Sequence, residues 1–161
     1  MLPGEARILV AEDSKSLQYL VMRQFKLLGY SVEIVGNGRL AVERACSDRV
    51  HLIFMDVQMP ELDGYMATRE IREFEEPRGY RTPIVGMTAF SSREQCLSVG
   101  MDDFLQKPVM IEDLRSTVDK WLRDYEADLP LLDLEQFKET AGQLKSLEER
   151  LLDLRKKFEL E

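Results

Sequence analysis

Five short apolar segments, interleaved with amphipathic ones, constrain this chain more than any other feature of its 161 residues. The predicted strands are 7–11, 31–35, 51–55, 83–87 and 103–105, and helical patterns run over about 14–28, 38–47, 63–75, 91–99 and 110–125. Strands of about four to six residues alternating with helices of about ten to fifteen specify βα units and a parallel sheet. Ile8-Leu9-Val10, Leu52-Ile53-Phe54-Met55 and Ile84-Val85-Gly86-Met87 are continuously apolar, as strands covered on both faces must be. Ser31-Val32-Glu33-Ile34-Val35 carries a charge in its middle, and the fifth segment is short and flanked by Asp103 and Gln106, so these two belong at sheet edges. The fold class is therefore α/β: a doubly wound, flavodoxin-like, five-stranded parallel sheet of order 2-1-3-4-5 with five flanking helices. Its topological switch lies between the first and third strands, where a ligand site is expected at the carboxyl ends.

Composition removes several alternatives. With 44% hydrophobic and 32% charged residues, the chain has enough apolar material to escape the disordered class. The longest apolar runs fall far short of a bilayer crossing, and Met1-Leu2-Pro3-Gly4-Glu5 has no basic-then-apolar pattern of a secretion signal. No membrane association and a cytoplasmic location are the expectation. The net charge of −8 repels nucleic acid, and no Lys/Arg stripe offsets it locally. Cys46 and Cys96 lack metal-type spacing and read as reduced structural thiols.

The polar groups at the strand ends carry the chemistry. The first strand runs into Glu12-Asp13, the third into Asp56 and the fourth into Thr88, while Lys107-Pro108 follows the fifth. A parallel sheet places all these ends on one rim. Carboxylates clustered there repel and raise one another's pKa unless something neutralises them. A hard divalent cation does so, and Mg²⁺ suits a site with few protein oxygens and several waters. A carboxylate beside such a cation can attack phosphorus, with Lys107 and Thr88 placed to offset and hydrogen-bond the phosphoryl oxygens.

At these residues the chain resembles a known family. Ile8-Leu9-Val10-Ala11-Glu12-Asp13, Met55-Asp56-Val57-Gln58-Met59-Pro60-Glu61-Leu62-Asp63-Gly64, Met87-Thr88-Ala89 and Phe104-Leu105-Gln106-Lys107-Pro108 look like the signatures of two-component response-regulator receiver domains. The resemblance covers about residues 6–125 and includes every polar landmark in order. It implies that Asp56 is the phosphoacceptor and that Asp13, Asp56 and the Gln58 backbone carbonyl ligate Mg²⁺. Glu12 would act in the outer shell through water; it stands where the family often has Asp, and both are tolerated. Lys107 would pair with the phosphoryl group, Thr88 would move to bond it, and Phe104 would swing inward. The Lys107–Pro108 bond is expected to be cis. The implied donor is a histidine kinase or a histidine phosphotransfer protein, and the implied output is a reshaped face of the fourth helix, fifth strand and fifth helix. The turn around Gln58 and the Gly86-Met87-Thr88-Ala89 stretch look more like receivers attached to hybrid sensor kinases. Gln58 and Phe90 lie where the family places residues that admit or exclude hydrolytic water, and a bulky Phe90 implies a long-lived phosphoryl group.

Other conspicuous residues have plainer explanations. Gly64 and Pro60 shape the loop entering the third helix. His51 opens the third strand at the end of the sheet away from the site, and Trp121 and Tyr125 pack on the fifth helix. Two competing functions fit less well. An aspartyl phosphatase needs Asp-x-Asp after the first strand, where this chain has Asp13-Ser14-Lys15; a module working by binding alone would not need acceptor, Lys and Thr together.

The pattern changes near Asp128-Leu129-Pro130, dividing a receiver-like region, 1–126, from a linker and amphipathic helix, 127–161. Leu134, Phe137, Ala141, Leu144, Leu147, Leu151, Leu154 and Phe158 follow nearly heptad spacing with one short step, and Asp133 suits an N-cap. Such a helix is about 37 Å long and too exposed to stand alone with one apolar stripe. Three fates are open: a homodimeric coiled coil through 133–158, transmission into a further domain, or packing back on the receiver. The start of this segment faintly resembles a histidine phosphotransfer module, but no histidine follows His51.

Overall fold

A computed structural model describes residues 6–122, together with Gly142, Lys145, Ser146, Glu149 and Arg150, which are helical and exposed. The domain boundary near 126, Tyr125 and the rest of the 133–158 segment lie outside the described residues. The elements are β1 (Ile8–Ala11), α1 (Lys15–Leu27), β2 (Val32–Val35), α2 (Gly38–Ser47), β3 (Leu52–Asp56), α3 (Gly64–Glu75), β4 (Ile84–Thr88), α4 (Arg93–Ser98), β5 (Asp103–Gln106) and α5 (Ile111–Trp121), with a short 3-10 turn over Glu76–Arg78. The sheet is parallel throughout and ordered β2-β1-β3-β4-β5, as the apolar pattern requires.

Strand alternation builds a core on each side. Ile8, Val10, Leu52, Phe54, Val85 and Met87 face α1 and α5, where Leu20, Val21, Phe25, Leu114 and Val118 meet them. Leu9, Ala11, Ile53, Met55 and Ile84 face α2, α3 and α4. Phe25 and Phe54 meet edge to face at 5.3 Å, a favourable aromatic arrangement that joins α1 to the central strand. β1, β3 and β4 are buried along their whole length, whereas β2 and β5 are partly exposed. Gln24, polar at an apolar position of α1, is buried because its Nε2 donates to Val109 O at 2.9 Å beyond β5.

α4 is shorter than the 91–99 pattern suggests. Ser92 takes the N-cap with a capping box to Gln95, which starts the helix late, and Gly100 at φ +102° ends it. Gly86 lets α4 approach the sheet: a Cβ there would stand 2.6 Å from Met101 Sδ and 3.0 Å from Cys96 Sγ. Cys46 and Cys96 are free thiols, and burial pushes both above the ordinary thiol range, which suits structural residues.

The rim away from the switch point is fastened by polar groups. His51 Nδ1 accepts the Arg7 N–H at 2.9 Å and the His51 N–H donates back to Arg7 O, locking β1 to β3. Burial, then Arg49 and Arg7, hold the imidazole below its ordinary pKa. Beneath β4, the Arg72 guanidinium donates to Gly100 O at 2.8 Å, Thr82 O at 2.9 Å, Asp102 Oδ2 at 2.7 Å and the Glu75 carboxylate. Glu75 and Asp102 in turn accept the backbone N–H groups of Thr82 and Ile84 at 2.8 Å each. Removing Arg72 would leave the buried Glu75 carboxylate without its cation and Asp102 with only the more exposed Arg81. Arg72→Met is therefore expected to lower stability in urea unfolding by about 3 kcal/mol. The more exposed Arg81, which also pairs with Asp102, should cost less than about 1 kcal/mol when replaced by Met.

Candidate functional site

Strand register assembles the site. Ala11 pairs with Met55, Asp56 with Met87 and Thr88 with Gln106, so the carboxyl ends of β1, β3, β4 and β5 lie level on one rim. The chain is pinned just beyond that rim: the Lys107 N–H donates to Thr88 O at 2.9 Å and the Val57 N–H to Met87 O at 3.1 Å. The Lys107–Pro108 peptide is cis, as expected. Gly64, first residue of α3, lies so close to β3 that a Cβ would stand 2.1 Å from Asp56 O. Its glycine identity is thus a packing requirement of the site itself, beyond the turn role expected from sequence. Asp63 caps the same helix through Met66 N–H at 2.8 Å.

The Lys107 ammonium sits between two carboxylates, 2.5 Å from Glu12 Oε2 and 2.7 Å from Asp56 Oδ2. Glu12 and Asp56 are only 3% and 4% exposed. Their other oxygens accept backbone N–H groups at 3.0 Å, from Ser14 to Glu12 Oε1 and from Gln58 to Asp56 Oδ1. Asp13 is exposed at the rim, and ligand oxygens of Glu12, Asp13 and Asp56 all lie within 4.8 Å of one another. Burial pushes the Glu12 carboxyl above the usual range; the Lys107 ammonium opposes that rise and the Asp56 charge adds to it.

Three ionised carboxylates against one ammonium leave a surplus of two negative charges. One divalent cation matches that surplus, and the donors are all hard oxygens. Glu12 is already engaged by Lys107 and Ser14, whereas Asp13 accepts no hydrogen bond among the described residues. The residues therefore fit a divalent cation such as Mg²⁺, with Asp13 the carboxylate left open to it.

Thr88 is buried at the rim, with its hydroxyl committed locally. It donates to Ser91 Oγ at 3.3 Å and accepts the Phe90 and Ser91 N–H groups at 3.2 Å each. Phe104 is half-buried and packs into the α2–α3–α4 core, and Phe90 is 64% exposed. Sequence reasoning missed Ser91 and Tyr65 beside this group. A hydroxyl three residues after Thr88 was the available signal for Ser91, since such spacing favours side-chain-to-backbone turns; Tyr65 had none.

The family model described as response regulator receiver domain matches residues 8–119. Over 123 residues the chain is 42% identical to the hybrid signal transduction protein dokA of Dictyostelium discoideum, spanning 76% of this chain and 7% of that protein. This chain thus spans only a small part of that relative's length. Among solved structures, the receiver domain of sensor histidine kinase PA1611 from Pseudomonas aeruginosa PAO1, with a magnesium ion in its active site cleft, is 38% identical with a TM-score of 0.67. That match covers 73% of this chain and 98% of the other. The receiver domain of Saccharomyces cerevisiae Ssk1, solved with the histidine phosphotransfer protein Ypd1, is 30% identical with a TM-score of 0.69, covering 75% and 90%.

Proposed function

The chain belongs to the response regulator receiver domain family, and on that premise we propose that Asp56 accepts a phosphoryl group from a phosphohistidine and that the domain acts as a signalling switch. The Lys107 ammonium seated between Glu12 and Asp56 is the observation that carries this reading. A buried carboxylate already paired with a cation, at a switch point and beside two more carboxylates, is poised as a nucleophile toward phosphorus rather than as a structural charge.

Asp56 attacks phosphorus, the donor's P–N bond breaks, and its electron pair returns to the imidazole. An acyl phosphate results. The Gln58 N–H on Asp56 Oδ1 fixes the carboxylate's orientation during the attack. The Lys107 ammonium then opposes charge on the phosphoryl oxygens, and Glu12, tied to Lys107 and the Ser14 N–H, keeps it in place. Thr88 leaves Ser91 and donates its hydroxyl proton to a phosphoryl oxygen. A bound Mg²⁺, held by Asp13, Asp56 and the Gln58 carbonyl with Glu12 acting through water, would screen negative charge on the phosphoryl group. Movement of Thr88 and Phe104 biases an existing equilibrium and reshapes the α4–β5–α5 face.

A histidine kinase or histidine phosphotransfer protein is the partner this reading requires. The similar Ssk1 receiver, solved with the phosphotransfer protein Ypd1, and the relatives named as hybrid histidine kinases support it. Among the described residues, no helix is long and apolar enough to cross a membrane.

Incubation with Mg²⁺ and acetyl phosphate should add one phosphoryl group by intact mass, and Asp56→Asn should abolish the adduct while the fold persists. Labelling of the variant at wild-type stoichiometry would exclude Asp56 as sole acceptor. Phe90, two residues beyond Thr88, hinders the hydrolytic water, so the adduct should decay over hours. Decay within a minute would contradict that role.

A further inference from the structure

Tyr65 is the second residue of α3, and its hydroxyl is buried with no partner at full hydrogen-bond geometry among the described residues. The Ser91 hydroxyl and the Cys96 thiol lie near enough to perturb its proton, Ser91 lowering and Cys96 raising its pKa, but neither reaches full hydrogen-bond geometry with it. Leaving a buried hydroxyl unpaired is costly, and such orphans are uncommon. Burial holds the phenol above its ordinary pKa, so it stays protonated and able to donate.

Its neighbour explains why the orphan is tolerated. A serine hydroxyl has one proton and two acceptor sites. At rest, Ser91 Oγ receives the Thr88 proton at 3.3 Å, and the Ser91 and Phe90 N–H groups converge on Thr88 Oγ1. Thr88 also has a single proton. Once that proton goes to a phosphoryl oxygen, Ser91 Oγ loses its donor while the Tyr65 hydroxyl beside it still lacks an acceptor.

We propose that Tyr65 is a positioning residue of the switch, its hydroxyl taking over Ser91 Oγ when Thr88 turns to the phosphoryl group. The inference rests on the Asp56 reading above and names a partner for its switching step. The new bond ties the first turn of α3 to the β4–α4 loop only in the phosphorylated state. Tyr65 thus contributes to the bias of the switch without touching the reacting atoms.

Beryllofluoride with Mg²⁺, a mimic of the acyl phosphate, is the probe, and Tyr65→Phe removes the hydroxyl while keeping the ring. The variant's resting thermal midpoint should be unchanged or higher, its beryllofluoride affinity about fivefold weaker, and its acetyl phosphate adduct still formed. In a Ser91→Ala background the same substitution should leave the affinity unchanged, since the two hydroxyls act as one unit. Wild-type affinity in Tyr65→Phe overturns the proposal, as does a weakening that persists without Ser91. A lowered resting midpoint overturns it too, because the hydroxyl would then be bonded at rest. A wild-type chain that neither binds beryllofluoride nor forms an adduct overturns the Asp56 reading, and this inference with it; an intact wild-type response with an unaltered Tyr65→Phe overturns only the latter.

Discussion

The ammonium of Lys107, held between the carboxylates of Glu12 and Asp56, is the contact on which the rest of the site depends. Two nearly buried carboxylates at hydrogen-bond distance from one cation cannot be assembled by local sequence. They come from the ends of β1 and β3, and the lysine from beyond β5, three strand pairings from β1 and two from β3. The fully apolar central strands place these groups, because strands buried on both faces fix their register through every side chain. Close packing then sets the surroundings of Asp56: Gly64 brings α3 against its backbone. Fold and charge cluster are one problem, in which burial raises the cost of each carboxylate and only paired cations offset it.

Much of this was legible in the residues. Continuous apolar runs at 8–10, 52–55 and 84–87 against the interrupted 31–35 named the central and edge strands, and hence the order of the sheet. Once that order is known, Glu12, Asp13, Asp56, Thr88 and Lys107 fall on one rim, since strand ends in a parallel sheet are level. What escaped has a common physical cause. Arg72, Glu75 and Asp102 look like surface charges, because nothing in a 3-residue or 27-residue spacing says that a guanidinium will be walled in by Thr82 and Gly100. Tyr65 reads as an ordinary amphipathic aromatic, and its orphan hydroxyl exists only through the packing of α3 against α4. The late start of α4 follows from a cap chosen among adjacent serines, which pattern alone does not rank. Tertiary burial of polar atoms is thus the part least written in linear periodicity.

The two rims of the sheet solve the same electrostatic problem differently. Away from the switch point, Arg72 and Arg81 match Glu75 and Asp102 charge for charge, and backbone N–H groups fill the remaining lone pairs. That four-residue network is charge-balanced. At the switch point three carboxylates meet one ammonium, and Asp13 faces outward with nothing bonded to it among the described residues. The imbalance is what distinguishes a site from a structural network, and it is where a cation and then a phosphoryl group would act. Thr88 and Ser91 lie one strand away, so a charge change at Asp56 meets a hydroxyl whose single proton has two claimants.

Calorimetric titration with Mg²⁺ tests the central claim, that the rim's surplus negative charge is a divalent-cation site, most directly. The account predicts binding at a single site in the wild-type chain, lost or weakened more than tenfold in Asp13→Asn, whose removed charge lies on the open side of the cluster. Equal Mg²⁺ affinity in both proteins, or none in a folded wild-type sample, would contradict it.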